Sequence, residues 1–311
     1  MPSQNEIRKQ VTDSILESIE SGKSLPWRKP WRSHPNAGRP TSVASRKPYR
    51  GINLPLLQMF ANRFGFSSKY WATYRQWESL GGQVRRRPDG VKSGSWSATA
   101  ILFKPVTKSR IEDGDEVEDT FYLMRTFRLF NADQVEGAEQ FQVNEDDLAG
   151  DVEPDFEPAE KLIAATEADL RYGGERAFYS PKDDFIQVPH KHRFTPVGSF
   201  YETCLHELSH WSLNERRMNW TAANKANAYA EEELVAEMAS SFLSTELGVP
   251  QSEGLDNHAA YLKSWLQALK GDSSFIFKAS TQASKVTDFL LDHVPQEALY
   301  HEDATVTGGV E

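Results

Sequence analysis

One cysteine, Cys204, occurs in the 311-residue sequence, which excludes an internal disulfide and any finger built on paired cysteines. No apolar run approaches the roughly 18 residues of a membrane span, so no membrane partner is expected. The opening Met1-Pro2-Ser3-Gln4-Asn5 lacks the basic-then-apolar pattern of a secretory signal, and a cytoplasmic location is the expectation. Neither a helix-turn-helix pattern nor an internal repeat is evident. The chain is polar overall, with a mean hydropathy of −0.60, and its length suits two domains of ordinary size.

Acid and base are segregated along it. Residues 1–110 carry 20 Lys and Arg against 6 Asp and Glu, whereas residues 111–311 carry 15 against 39. The net charge of −10 thus joins a strongly basic segment to a more strongly acidic one. Such a basic segment attracts a polyanion that the remainder repels, which points to nucleic acid as its partner. Its cations are interleaved with rings in Trp27-Arg28-Lys29-Pro30-Trp31-Arg32, Arg46-Lys47-Pro48-Tyr49-Arg50 and Lys69-Tyr70-Trp71-Ala72-Thr73-Tyr74-Arg75-Gln76-Trp77, and Arg85 and Arg86 follow. Flat rings stack unpaired bases at about 1–3 kcal/mol each while cations track the phosphates. A duplex hides its base faces, so a single strand is the expected ligand. The candidate contacts are Trp27, Arg28, Lys29, Trp31, Arg32, Arg46, Lys47, Tyr49, Arg50, Lys69, Tyr74, Arg75, Arg85 and Arg86. Trp71 and Trp77 fit the core of a small domain equally well.

A second chemistry lies in the acidic half. His206-Glu207-Leu208-Ser209-His210 places two imidazoles four residues apart, on one face of a helix, with a carboxylate beside the first. Phe200 to Leu213 contains no Gly or Pro and fits that helix. A catalytic zinc takes three protein ligands and leaves a position for water. The third ligand is sought in the helical run Ala230-Glu231-Glu232-Glu233-Leu234-Val235-Ala236-Glu237, where Glu233 is preferred. Glu237, one turn further on the same face, is read as a partner that orients an imidazole, and Glu232 points about 100° away. Glu207 then acts as general base in peptide hydrolysis. Zn2+ is the expected cofactor, with Mn2+ or another divalent ion as alternatives. Cys204, on the opposite side of the helix from His206, is read as a buried structural thiol. His190 and His192 read as an exposed loop pair, and Tyr229, Arg216 and Arg217 receive no role.

The pattern predicts an α+β fold. Helices are expected at Asn5–Ser21, Asn53–Phe64 with Asn53 as cap, Ser67–Leu80 and Lys161–Leu170. A small antiparallel sheet is expected between Val84 and Phe130, with the acidic hairpin Glu112–Asp119 joining its strands. Short strands are expected at Arg176–Ser180 and Asp184–Val188, beside the histidine helix, where an edge strand would hold an extended peptide. Helix dominates from Ala228 to Leu291. The acidic Glu136–Glu160 run reads as a linker, giving domains at 1–135 and 161–292 with a disordered tail at 293–311.

The motifs resemble the ArdC-type antirestriction proteins of conjugative plasmids, a family also seen in TraC-like primases. The N-terminal likeness rests on Leu25-Pro-Trp-Arg-Lys-Pro-Trp31, Lys47-Pro-Tyr-Arg-Gly-Ile-Asn53, Tyr70-Trp-Ala-Thr-Tyr-Arg-Gln-Trp77 and Gly81-Gly82-Gln83-Val84-Arg85. The C-terminal likeness rests on His206-Glu-Leu-Ser-His-Trp211, Tyr229-Ala-Glu-Glu-Glu-Leu-Val-Ala-Glu237 and Ala260-Tyr-Leu-Lys-Ser-Trp265. The resemblance implies a single-stranded-DNA-binding domain followed by a mostly helical zincin-like metallopeptidase. It also implies protection of conjugatively transferred DNA from host restriction; the peptide substrate stays open, with a host restriction component and the protein itself as candidates. Two alternatives remain open. Protection could come from strand occupancy, with the zincin fold as a scaffold, or the chain could be a regulatory protease of a DNA-bound protein.

Overall fold

The computed structural model describes residues 3–21, 25–28, 36–112, 115–143, 156–222, 225–251 and 259–299. Helix α1 (Gln4–Glu20) is opened by a capping box between Ser3 and Glu6, and buries Ile7, Val11, Ile15 and Ile19 along one stripe. Helix α2 (Asn53–Phe64) ends on Gly65 in the left-handed region at φ 71°. Asn53 does not cap it. Its amide instead exchanges two hydrogen bonds with the main chain of Ile101, at 2.7 and 2.8 Å, and so pins α2 to the sheet beside it.

That sheet runs β1 (Thr41–Ser42), β2 (Tyr70–Ala72), β5 (Asp115–Asn131) and β4 (Ala98–Glu112). The two long strands form one antiparallel ladder from Ala98↔Leu129 to Glu112↔Asp115, so the acidic hairpin expected at Glu112–Asp119 closes its far end, residues 113–114 lying outside the described set. Strand β1 joins β2 in parallel, making the sheet mixed rather than purely antiparallel. The helix expected at Ser67–Leu80 divides. Tyr70 and Trp71 are β-prone and pair with β5, and only α3 (Tyr74–Ser79), started by a capping box at Thr73, is helical. Leu57, Ala61, Trp71, Ala98, Ala100 and Leu129 pack α2 onto this sheet.

Part of the supposed linker is structured. Strand β6 (Val135–Glu136) pairs with β3 (Gln83–Val84), and Phe141 packs on Trp77. Residues 144–155 lie outside the described residues. The next helix, α4, covers Glu157–Ala165 rather than Lys161–Leu170, because Asp169–Tyr172 forms strand β7. Strands β8 (Phe178–Ser180) and β9 (Phe185–Val188) fall where expected. Strand β9 is central, with β7 parallel and β8 antiparallel to it.

Four long helices follow: α5 (Gly198–Leu213), α6 (Ala228–Glu246), α7 (Ala259–Gly271) and α8 (Phe275–Leu291). Their apolar faces form one core with Leu25, Trp27 and the buried stripe of α1. The core therefore crosses from the basic half into the acidic half. The expected disordered tail begins with helix α9 (Gln296–Leu299), whose Leu299 is buried; residues from 300 onward lie outside the described set. Among the described residues no helix is long and apolar enough to cross a membrane.

Candidate metal centre

Helix α5 carries His206 and His210 one turn apart, and α6 packs against it with Glu233 facing both. The Nε2 atoms of the histidines are 3.2 Å apart. Glu233 Oε2 lies 3.6 Å from His206 Nε2 and 3.7 Å from His210 Nε2. Ligands at about 2.0–2.1 Å around a tetrahedral ion stand roughly 3.3–3.4 Å apart, so two imidazoles and one carboxylate converge at coordination spacing. Among the described residues they are the group of His, Cys, Asp or Glu able to share an ion.

The surrounding charges hold these groups in place. Glu232 Oε1 lies 2.9 Å from His210 Nδ1, and Glu237 Oε2 lies 4.0 Å from His206 Nδ1. Glu237 thus faces the His206 ring, beyond hydrogen-bond distance. Glu232, disfavoured on angular grounds, reaches the other imidazole. Burial disfavours the His210 cation, but the Glu232 carboxylate that accepts from its Nδ1 and the nearby Glu233 carboxylate outweigh it and hold the imidazole well above its usual range. Burial likewise opposes the Glu233 carboxylate, yet both histidines hold its carboxyl below the usual range.

Glu207 lies outside the ligand triangle. It is 8% exposed, and the main chain of Tyr179 on β8 is near enough to favour its ionised form. Burial raises its carboxyl above the ordinary range against the pull of the two histidines. Strand β8 is held by its own lock. Asp184 takes Arg216 at 3.1 Å and Arg217 Nη1 at 3.2 Å, Tyr179 Oη donates to Asp184 at 2.7 Å, and Arg217 stacks over Trp211 at 3.8 Å. Arg216 and Arg217 therefore fasten the β8–β9 turn to the end of α5.

Cys204 is fully buried, its thiol pushed up to about 12 by burial, in keeping with an inert structural thiol. His190 and His192 are exposed and stack on each other at 5.5 Å, outside the ligand cluster. Tyr229, one turn before Glu233, places its hydroxyl beside Glu233 and 3.3 Å from Tyr261 Oη. Its i, i+4 spacing to Glu233 was the signal available for it.

The expected strand contacts divide into three groups. Trp27 is 1% exposed and Arg28 4%, so neither presents a surface, and both leave the candidate nucleic-acid set. Arg28 is neutralised by Glu202 at 2.7 Å and Glu237 at 3.0 Å. Lys29, Trp31 and Arg32 lie outside the described residues. The others remain on or near the surface. Arg46 lies over Tyr70 and Phe141, and Lys69 over Tyr70. Tyr74 is 45% exposed and accepts from Gln83 Nε2 at 3.4 Å. Lys47, Arg75, Arg85 and Arg86 are exposed, and Arg50 pairs with Asp288. Tyr49 is half-buried, its hydroxyl pushed up to about 12 by burial. Trp71 and Trp77 are core residues.

Comparison with known proteins agrees with both halves. The N-terminal domain of anti-restriction factor ArdC matches residues 5–130, and a zincin-like metallopeptidase family matches residues 157–282. A DNA primase TraC of Escherichia coli is 35% identical over 297 residues, covering 91% of this chain but 27% of the primase. The chain thus spans about a quarter of that relative. The uncharacterized protein y4eC of Sinorhizobium fredii is 32% identical over 289 residues, covering 92% of this chain and 91% of its own. The metal-free crystal structure of the antirestriction ArdC protein from plasmid R388 superposes with a TM-score of 0.71 at 35% identity, over 94% of this chain and 98% of that one. Its Mn(II)-bound form gives 0.68 at 35% identity, over 92% and 97%. With near full-length likeness in sequence and fold, the chain belongs to the ArdC antirestriction family, an α+β protein with a zincin-like C-terminal half.

Proposed function

We propose that the protein binds single-stranded DNA through residues 1–135, carries a metallopeptidase in residues 161–292, and protects incoming conjugative DNA from host restriction. The observation that carries the enzymatic part is the triangle of His206, His210 and Glu233 with Glu207 held beside it. Two neutral imidazoles and a carboxylate suit Zn2+, and the Mn(II)-bound relative supports a divalent ion more broadly. Such an ion supplies Lewis acidity to the scissile carbonyl and acidifies water. Glu207, ionised, accepts the proton from the attacking water and returns it to the departing amine. The peptide substrate is a host restriction component or the protein itself.

The overall reading is tested in recipient cells that restrict unmodified DNA, with and without the chain expressed. Increased recovery of unmodified conjugative DNA is expected, and equal recovery would remove the antirestriction role. The metal part carries a pH prediction. The metal-free protein favours protonated His210, whereas the ligand is neutral imidazole, so loading expels a proton. Affinity for Zn2+ should rise about tenfold per pH unit between pH 6 and 8 for each proton released. Calorimetric titration in two buffers of different ionisation enthalpy counts that proton; pH-independent affinity would exclude the assignment.

Strand binding is assigned to the exposed set around β2, α3 and β3. Replacing Arg75, Arg85 and Arg86 by Ala should weaken binding to an oligo(dT) probe. The log–log salt slope should shrink by about 0.7 for each phosphate that is no longer neutralised. An unchanged slope would move the strand off this face.

A further inference from the structure

Two carboxylates stand one helical turn from the metal-ligand positions, and a single cation joins them. Glu202 precedes His206 by four residues on α5, and Glu237 follows Glu233 by four on α6, so each shares a face with a ligand. Arg28 reaches both, with Nη2 2.7 Å from Glu202 Oε1 and Nε 3.0 Å from Glu237 Oε1. The second Glu237 oxygen faces His206 Nδ1 at 4.0 Å. Arg28 and Glu237 are 4% and 2% exposed, so these contacts are little screened by water. A planar guanidinium with donors in several directions can grip two carboxylates at once, which an ammonium cannot do with the same geometry. The main chain that presents it is fixed on both sides. The Trp27 carbonyl accepts from Ser241 Oγ on α6, and the Arg28 carbonyl accepts from Asn62 Nδ2 on α2, each at 2.9 Å.

We infer that Arg28 is a positioning residue of the metal centre. From the basic half, 209 residues before Glu237, it cross-braces the two ligand-bearing helices and fixes the Glu237 rotamer that faces the His206 ring. The inference rests on reading His206, His210 and Glu233 as the metal ligands. It makes the centre a joint product of both halves of the chain, and it gives a buried charge in the basic segment a task other than holding phosphate.

The test measures Zn2+ affinity of the full chain by competition with a chromophoric chelator, with the folded fraction of each variant set by circular dichroism. Arg28→Met should weaken affinity per folded molecule by about 10- to 100-fold, the usual effect of removing an outer partner of a metal ligand. Arg28→Lys should recover part of the loss by restoring the charge without the fork. A brace that serves only stability would lower the thermal midpoint and leave the affinity of folded molecules unchanged, and that result would overturn the inference. Should Arg28→Met fail to fold, Arg28→Met/Glu202→Gln leaves one buried carboxylate instead of two and is expected to show the same loss; wild-type affinity in that variant would likewise overturn it. Wild type and His206→Ala separate the two readings. No binding by wild type removes the metal site and this inference with it. Stoichiometric binding abolished in His206→Ala but unaltered in Arg28→Met removes this inference alone.

Discussion

Glu207→Gln is expected to lower peptide hydrolysis by about 10²- to 10⁴-fold, the usual worth of a positioned general base, while Zn2+ content and single-strand affinity stay at wild-type values. The geometry makes the substitution clean. Glu207 is outside the ligand triangle, so the ion keeps its three protein donors. Gln is nearly isosteric with Glu, and its carbonyl still accepts from any donor the carboxylate faces. Only the capacity to take a proton is removed. Burial raises the Glu207 carboxyl toward the working pH, which makes the ionised form a stronger base than an exposed glutamate. The measurement is turnover of a fluorogenic peptide mixture by the Zn2+-loaded protein, beside a metal assay and an oligo(dT) titration. Undiminished hydrolysis would exclude Glu207 as the base. The same variant in a restricting recipient separates two routes to protection. Abolished protection makes peptide cleavage part of it, whereas retained protection leaves strand occupancy sufficient and gives the peptidase another task.

Local periodicity carried what was legible in the sequence. The four-residue spacing of His206 and His210 fixed their shared face, and the i, i+4 relation of Glu233 and Glu237 placed both toward the histidines. Glu232 is disfavoured by its backbone direction, which differs by about 100°. A glutamate side chain is long enough to reach His210 Nδ1 from there, and helical angle alone does not register that reach. Arg28 was illegible for a different reason. Beside Lys29 and Arg32 it looks like part of a cationic surface, yet its partners lie far along the chain, on helices that only tertiary packing brings to it. Trp27 shared the error. Tyr70 to Ala72 merges with a helical pattern because a three-residue strand leaves too short a period-2 signal, and its pairing with β5 decided the conformation. The acidic stretch after Val135 reads as solvated by composition, although Phe141 anchors its start against Trp77.

Glu233→Ala is expected to abolish stoichiometric metal binding, with an affinity loss well beyond the roughly 10- to 100-fold of an outer-partner variant. Removing it leaves two imidazoles on one helix and no anionic donor to balance a divalent charge. Glu232→Ala and Glu237→Ala supply the comparison, since each deletes a carboxylate that faces an Nδ1 atom and leaves the three donor atoms in place. They should fall within the outer-partner range, Glu232→Ala acting through the orientation of His210. The ordering discriminates more sharply than any single loss. General electrostatic attraction to an acidic helix would make the three substitutions nearly equivalent, because each removes one negative charge. Coordination makes Glu233 stand apart. Chelator competition on the three folded variants gives the order directly, and near-wild-type affinity in Glu233→Ala with a large loss in Glu232→Ala would transfer the third ligand to Glu232. The metal-free proteins provide a second check. Glu233 is 6% exposed and faces both histidines, so its removal takes away an anion that favours the His210 cation. In the apo protein the His210 titration should therefore move down toward the usual imidazole range in Glu233→Ala, by a shift that NMR of the ring resonances reads without any metal present.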